Sequence, residues 1–340
     1  MRIAELGTET AEWDAFVRIS GEGSPFHLIA WKRAVERTFG LRAQYLMARE
    51  GDRLVGVLPL FEARELFGRR ALISVPYAVY GGVCATSDAA RKALVDAATA
   101  LGRKRGAAYV ELRQRRDLDL GLTVKERYVT FARAISRDEE ENALAIPRKQ
   151  RRMIRQGRKY GLRSVTDRGH LDSVYDVYAQ SVHNLGSPVF PRRLFHALAE
   201  AFEEDCQVLT VYHDERIVAG VLSFFYEDQV LPYYGGALRE AFAYAVNDFM
   251  YWELMCQAAK AGVRVFDFGR SREGTGSYDF KRHWGFEPVP LPYQYVLLNG
   301  HALPDVSPSN PKLRRATDLW KRLPLGVTSR LGPLITRYLP

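Results

Sequence analysis

Four side chains of different chemistry share one stretch, DFGRSREGTGSYDFKRHWG (267–285): the Asp267 carboxylate, the Arg270 guanidinium, the Ser271 hydroxyl and the Lys281 ammonium. A planar guanidinium fork suits a carboxylate or a phosphate. A carboxylate next to it either orients an amine or forms a structural ion pair with the arginine. Only Phe268 and Gly269 separate Asp267 from Arg270. That spacing is odd, so one strand face cannot carry both, and the strand is expected to end between them. The Gly274-Thr275-Gly276 turn reads either as a plain flexible connection or as part of a cleft wall.

Such groups need a scaffold, and the chain repeats one. The first copy runs from YLMAREGDRLVGVLPLF (45–61) through VPYAVYGGV (75–83) to AARKALVDAATALGRKRGAAYVELR (89–113). The second runs from VLTVYHDERIVAGVLSFF (208–225) through QVLPYYGGAL (229–238) to NDFMYWELMCQAAKAGVRVFDFGR (247–270). Each copy has two β-rich runs around a charged turn, a Tyr-Gly-Gly, a helix, a glycine and a short strand ending in an acid. Leu54, Gly56 and Leu58 alternate as in a strand. Leu94, Ala97, Ala98 and Leu101, like Trp252, Met255, Cys256 and Ala259, recur at helical spacing. Gly102, Gly106 and Gly262 are expected helix stops. Tyr80 and Tyr234, at the Tyr-Gly-Gly positions, either line a cleft, as Tyr233 would, or mark close backbone packing. Glu111 and Arg113, counterparts of Asp267 and its followers, either bind an acceptor or form a salt bridge to the basic helix at 146–162.

This order resembles the core of the GNAT acyltransferases, in which two neighbouring parallel strands splay apart to receive an acyl donor. The splayed pair would be the strand at Tyr233-Tyr234 and the strand Val263–Phe268, with the intervening helix directing its N-terminus at the gap. The expected fold class is α/β (α+β), with two tandem GNAT-like subdomains, each a mixed sheet flanked by helices.

Over residues 20–295 the sequence resembles the FemAB family of tandem GNAT-like enzymes, in particular the branch associated with exosortase/PEP-CTERM exopolysaccharide systems. The stretches that carry the likeness are SPFHLIAWKRAVERTFG (24–40), 54–82, IPRKQRRMIRQGRKYGL (146–162), NLGSPVFPRRLF (184–195) and 267–295. The resemblance implies amide-forming acyl transfer onto an amine of an envelope, peptidoglycan or exopolysaccharide precursor. The donor would be an aminoacyl-tRNA or, alternatively, an acyl-CoA or acyl-carrier thioester, with no tightly bound cofactor. Phe280-Lys281 matches the family's Phe-Lys pair, which implies that Lys281 faces the donor. Trp31, in the first stretch, is a further candidate substrate contact. A non-enzymatic glycan-lipid adaptor is the remaining alternative. CoA-dependent GNAT enzymes carry [RQ]-x-x-G-x-[GA] before the central helix; here Ser271 stands three residues before Gly274, and the glycines follow the last strand instead.

Composition sets the outer limits. The 340 residues are 47% apolar and 26% charged, a globular balance. Net charge is +9, which favours polyanionic partners. No apolar leader or spanning run is visible, and three scattered cysteines read as buried thiols in a reducing cytoplasm. Scattered histidines give no metal motif. Residues 146–162 are expected to form a basic helix linking the halves, either solvated or facing a tRNA stem or a lipid phosphate. The tail has one apolar face at Leu313, Ala316, Leu319, Trp320 and Leu323 and another at Val327, Leu331, Leu334, Ile335 and Tyr338, both among basic residues. It either docks on the protein or lies peripherally on the inner membrane surface. The expected division is 1–145, 146–300 and a tail 301–340, in a monomer.

Overall fold

The computed structural model describes all residues except 66, 67, 299, 301, 302 and 304–310, and the side chains of 311–315 also lie outside the description. Leu313 of the first tail face is among these.

Unit 1 begins with β1 (Arg2–Glu5), α1 (Thr10–Ile19), α2 (Ile29–Phe39), β2 (Arg42–Ala43), β3 (Leu46–Glu50) and β4 (Arg53–Leu58). It continues with β5 (Phe61–Arg64), β6 (Arg70–Ile73), β7 (Cys84–Ala85), α3 (Asp88–Lys104) and β8 (Tyr109–Leu112). One antiparallel sheet has the order β1-β3-β4-β7. A second group runs β2-β5-β6-β8, antiparallel except for the parallel β6/β8 pair. In β4 every residue from Leu54 to Leu58 is buried, because α3 covers one face and α1 packs on the same strand. The apolar alternation expected there is therefore absent. Ser87 caps α3 by accepting from the Ala90 amide at 3.2 Å.

Unit 2 opens with β9 (Thr123–Ala134), α4 (Glu139–Leu144), α5 (Arg148–Lys159), β10 (Arg163–Thr166), α6 (Leu171–Leu185) and α7 (Arg192–Phe202). Then come β11 (Cys206–His213), β12 (Arg216–Tyr226), β13 (Gln229–Ala237), α8 (Val246–Lys260), β14 (Val265–Ser271) and α9 (Gly276–His283). Its strands lie in the order β10-β11-β12-β13-β14-β9, all antiparallel except β13/β14. The chain closes with β15 (Val289–Leu297), which pairs antiparallel with β8, then α10 (Pro311–Arg322) and α11 (Leu325–Thr336).

The duplication is thus real in connectivity: β1-β3-β4-β7 repeats as β10-β11-β12-β13, α3 as α8, and β8 with its antiparallel neighbour β15 as β14 with β9. The copies differ where the β5–β6 hairpin enters the first. There β7 is only two residues long and does not pair with β8. Tyr80-Gly81-Gly82 consequently lies outside any strand, whereas Tyr234-Gly235-Gly236 lies within β13. Gly102 is not a stop. It sits inside α3, where a Cβ would come within 2.7 Å of Leu298, so the glycine lets the helix approach that side chain.

The compact units are Met1–Arg127 with Pro290–Val306 and Leu334–Pro340, and Tyr128–Val289 with Ser307–Pro333. They do not coincide with cuts at 145/146 and 300/301. Pairing explains the shift: β9 from Val129 onward is laddered to β14, and Gln294–Leu297 to β8. The basic helix α5 is likewise no linker between halves. It packs on α8 within unit 2, with Gly157 admitting the Phe249 side chain.

Candidate active site

The parallel ladder between β13 and β14 stops after Gln229↔Val265 and Val230↔Phe266, although β13 continues to Ala237 and β14 to Ser271. Two bulges part the strands. On β13, Leu222 faces Tyr234 while Ser223 faces Pro232, leaving Tyr233 as the extra residue. A bulge bends its strand, and Pro232 offers no amide to a ladder. On β14, Asp267 faces Ala132 but Arg270 faces Thr130, so Phe268 and Gly269 together stand opposite Phe131. Gly269 takes φ +67°, which a β-carbon would disfavour. Backbone groups that a continued ladder would consume are left to line a gap. They can hydrogen-bond an ester or amide carbonyl placed there.

Asp267 and Lys281 hold the second bulge from two sides. Asp267, 1% exposed, accepts from the Gly269 amide at 2.7 Å and from Thr130 Oγ1 at 3.4 Å. Lys281, on α9, donates to the carbonyls of Phe268, Gly269 and Arg270 at 2.8, 3.0 and 3.1 Å. Burial pushes its pKa down to about 7, opposed by the charge of Asp267 and reinforced by that of Arg270. All three donors of the ammonium therefore act on carbonyls of the bulge. Phe280, beside it, is partly buried against Tyr251, Phe268 and Trp284. The Trp284 indole donates to Asp248 Oδ1 at 3.0 Å, tying the end of α9 to the first turn of α8.

Ser271 is buried, its hydroxyl 3.3 Å from that of Ser277. Arg270 is half-buried and stacks its guanidinium 4.5 Å from the Tyr128 ring centre. The Gly274–Gly276 turn is a connection. Thr275 caps α9, accepting from the Tyr278 amide at 3.4 Å and donating to the Arg272 carbonyl at 2.6 Å. The entry to α8 is no phosphate loop either: a 3₁₀ turn at Arg239–Tyr244 leads to Ala245, which makes no side-chain cap, and Asp248 adds a carboxylate in the first turn.

One residue at this gap escaped sequence reasoning. Tyr251 lies on α8 directly before Trp252, the first of the residues read as core. Its ring packs on Phe268 of β14 and Phe280 of α9, and a Cβ on Gly235 of β13 would lie 3.5 Å from its hydroxyl. It thus touches both arms of the splay. Burial pushes its pKa up to about 12, so it stays a protonated donor, and its hydroxyl has no hydrogen-bond partner among the described residues. The apolar spacing of α8 gave no signal for it.

Several expected contacts are packed away. Tyr234 is 5% exposed among Tyr178, Phe190 and Phe195, beneath α6 and α7, and half-buried Tyr233 stacks edge-on to it. Gly236 meets the α6 backbone, where a Cβ would fall 2.8 Å from Tyr178 Cα; close packing is what this glycine serves. In unit 1, Trp31 is fully buried and edge-on to Phe26. Tyr80 is 1% exposed, with Arg115 over its ring at 4.0 Å. Glu111 accepts from Arg113 Nε at 2.8 Å and from the Tyr295 hydroxyl at 3.1 Å, while Arg113 also holds the Val75 and Ala78 carbonyls. This pair is an internal brace, not a bridge to the basic helix; Trp31 and Glu111 are buried, whereas Arg113 and Tyr80 border a cavity of about 310 Å³ in unit 1.

The basic helix does present one. Its buried side is Gln150, Ile154 and Gly157, while Arg148, Arg152, Arg155 and Lys159 are exposed on the opposite face. None of these four makes an ion pair among the described residues. The tail, by contrast, is partly docked: Thr328 hydrogen-bonds His183 at 3.0 Å, and Gly332 lies against Val189.

Residues 145–282 match the family model described as an acetyltransferase (GNAT) domain. A comparison with curated proteins gives no match. Among solved structures, FemX has a TM-score of 0.70 at 16% identity, covering 88% of this chain and 98% of that one. The C-terminal DUF2156 domain of a putative lysylphosphatidylglycerol synthetase from Agrobacterium fabrum gives 0.58 at 14%, covering 86% and 92%. A tandem GNAT protein from the clavulanic acid biosynthesis pathway gives 0.53 at 13%, covering 88% and 99%. At such identities the likeness is one of fold. The resemblance to the Fem proteins holds at that level, and the stretch that matches the GNAT domain model lies in unit 2.

Proposed function

We propose that this chain, which has the Fem-type tandem GNAT fold, transfers an aminoacyl or acyl group from an activated donor to an amine of a cell-envelope or exopolysaccharide precursor. The observation that carries the reading is the opening of β13 from β14 after Val230 and Phe266. The donor carbonyl would lie in that gap, against backbone amides. The acceptor nitrogen attacks the carbonyl carbon, a C–N bond forms, the C–O bond to the donor breaks, and the amine proton ends on the departing oxygen. Such a reaction needs alignment and an oxyanion stabilised by fixed donors more than it needs a strong base.

In this reading Tyr251 donates its free hydroxyl hydrogen to the oxyanion. Lys281 and Asp267 act as positioning residues, fixing the bulge whose amides face the gap. Arg270 and Ser271, at the end of β14, meet the acceptor. An aminoacyl-tRNA donor is favoured over a CoA thioester because no glycine loop precedes α8 and because the α5 stripe is an unpaired cationic face for a phosphate backbone. The tail adds peripheral contact with an anionic membrane, where lipid-linked acceptors reside.

Incubating the protein with a mixture of radiolabelled aminoacyl-tRNAs and, separately, with labelled acetyl-CoA, each with a panel of amino-sugar and peptide amines, tests this. Label from aminoacyl-tRNA should appear in an alkali-stable amide. Transfer from acetyl-CoA alone would select the thioester reading. Transfer from neither, by protein that binds glycan lipid, would favour the adaptor.

A further inference from the structure

We propose that a groove in unit 1, formed by none of the candidate active-site residues, binds a small ligand bearing a diphosphate. The cavity holds about 390 Å³ and is lined by Arg42, Arg64, Arg70, Arg105 and Arg337 with a single carboxylate, Glu62. Strand register explains the crowding. Arg42 of β2 faces Glu62 of β5, Arg64 lies two residues further on the same face, and Arg70 of β6 faces Arg64 directly. Like charges directly opposite on a sheet are unfavourable, and a guanidinium cannot relieve the repulsion by losing its proton.

Glu62 is already shared between Arg105 at 3.2 Å and Arg42 at 4.0 Å. Arg64, Arg70 and Arg337 make no ion pair among the described residues. The groove therefore holds four uncompensated positive charges. A concave wall of low dielectric concentrates that field. Leu72, which faces Glu62, is the apolar side chain on that same face and forms the floor, and the volume falls in the range of small-molecule sites. A carboxylate supplies too little charge for this many forks. A diphosphate supplies two or more charges and enough oxygens for several bidentate contacts, leaving an apolar or planar remainder for the floor.

Calorimetric titration with inorganic pyrophosphate at physiological salt should give saturable one-to-one binding, with Kd below about 1 mM and inorganic phosphate weaker by about tenfold or more. Arg64→Ala/Arg70→Ala should weaken pyrophosphate by about tenfold or more. Arg70→Lys, which keeps the charge but loses the fork, should fall between. Without ligand the double variant should melt higher than the parent, since the repulsion is gone, and pyrophosphate should no longer raise its Tm. ADP and geranyl diphosphate as further titrants show whether the floor takes a nucleoside or an isoprenoid, tighter binding of either supporting the site. Heat that never saturates, or binding lost equally in Arg152→Ala/Arg155→Ala, would mean general attraction to a basic surface and would overturn the proposal.

Discussion

Lys281 Nζ donates to the Phe268 carbonyl at 2.8 Å, and through this bond and its two neighbours α9 holds open the bulge that ends the β13/β14 ladder. Removing the ammonium leaves three carbonyls short of a donor. Lys281→Met is expected to cost about 2–4 kcal/mol and to abolish transfer.

The same lysine gives a pH signature. Its pKa in the folded protein is about 7, below the ordinary 10.5. Between those values the unfolded chain holds a proton that the folded chain has released, so folding gains as pH rises. The stability of the parent relative to Lys281→Met should climb by up to about 1.4 kcal/mol per pH unit above pH 7. Urea unfolding of both proteins at successive pH values measures it. A difference that stays flat across that window would show that the lysine does not titrate as its burial requires.

In unit 1, His27 supplies an acid counterpart. It is fully enclosed, with Nε2 3.0 Å from the Gly82 carbonyl and Nδ1 2.9 Å from the Ser24 hydroxyl. Nε2 therefore carries the proton, because a carbonyl can only accept. Burial lowers its pKa to about 4 from 6.5. The unfolded chain takes up a proton below 6.5 that the folded chain refuses until about 4. Unit 1 should therefore lose about 3 kcal/mol as pH falls through that range, and His27→Gln should flatten the dependence. Unfolding followed at pH 7, 5.5 and 4 decides the matter.

Much of the fold was legible because each half repeats a pattern whose order survives in the strands. The expected splay between the second Tyr-Gly-Gly strand and the strand ending in Asp267 is where the ladder opens. Local periodicity misled where tertiary cover overrode it: β4 is buried on both faces, and the Gly102 helix runs on because a small residue was needed against Leu298. The site was less legible. Trp31, Tyr234 and Glu111 have functional side-chain types, yet each is buried in packing or an internal pair. Tyr251 went unseen because its role depends on the strands that flank it, not on its place along α8.

Tyr251→Phe removes one oxygen and keeps the ring on Phe268 and Phe280. The hydroxyl has no partner to lose among the described residues, so the melting temperature should hold. Turnover should fall by about 10²-fold, in keeping with the loss of one donor to a developing oxyanion, with little change in KM. A parallel rise in KM with unchanged kcat would make the tyrosine a binding contact only.

The α5 stripe predicts a salt dependence. If Arg148, Arg152, Arg155 and Lys159 lie along a phosphate backbone, each contact releases counterions. The slope of log K against log salt should then shrink by about 0.7–0.9 for each arginine removed. Filter binding of tRNA to Arg152→Ala and Arg152→Ala/Arg155→Ala across a salt series provides the slopes. The exposed positions should leave stability unaltered, and an unchanged slope would place the nucleic acid elsewhere or nowhere.

The tail makes the last case, because α11 has two different sides. Thr328, Gly332 and Thr336 are buried, and the Thr328 hydroxyl meets His183. Val327, Leu331 and Leu334, one turn apart along the other side, are 40%, 41% and 67% exposed, with Arg330 and Arg337 exposed beside them. No described helix is long and apolar enough to cross a membrane. An apolar stripe edged by arginines instead suits the headgroup boundary, where buried apolar area and about 1 kcal/mol per basic residue combine. Sedimentation with vesicles containing phosphatidylglycerol should therefore capture the protein and weaken as salt is added. Leu331→Glu places a charge at the centre of the stripe, at a position already open to water, so folding should be unaffected while capture falls by about tenfold or more, the loss of one buried leucine plus an added repulsion. Capture by neutral vesicles equal to that by anionic ones, or a Leu331→Glu protein that sediments like its parent, would leave α11 as a docked helix whose outer leucines face only water.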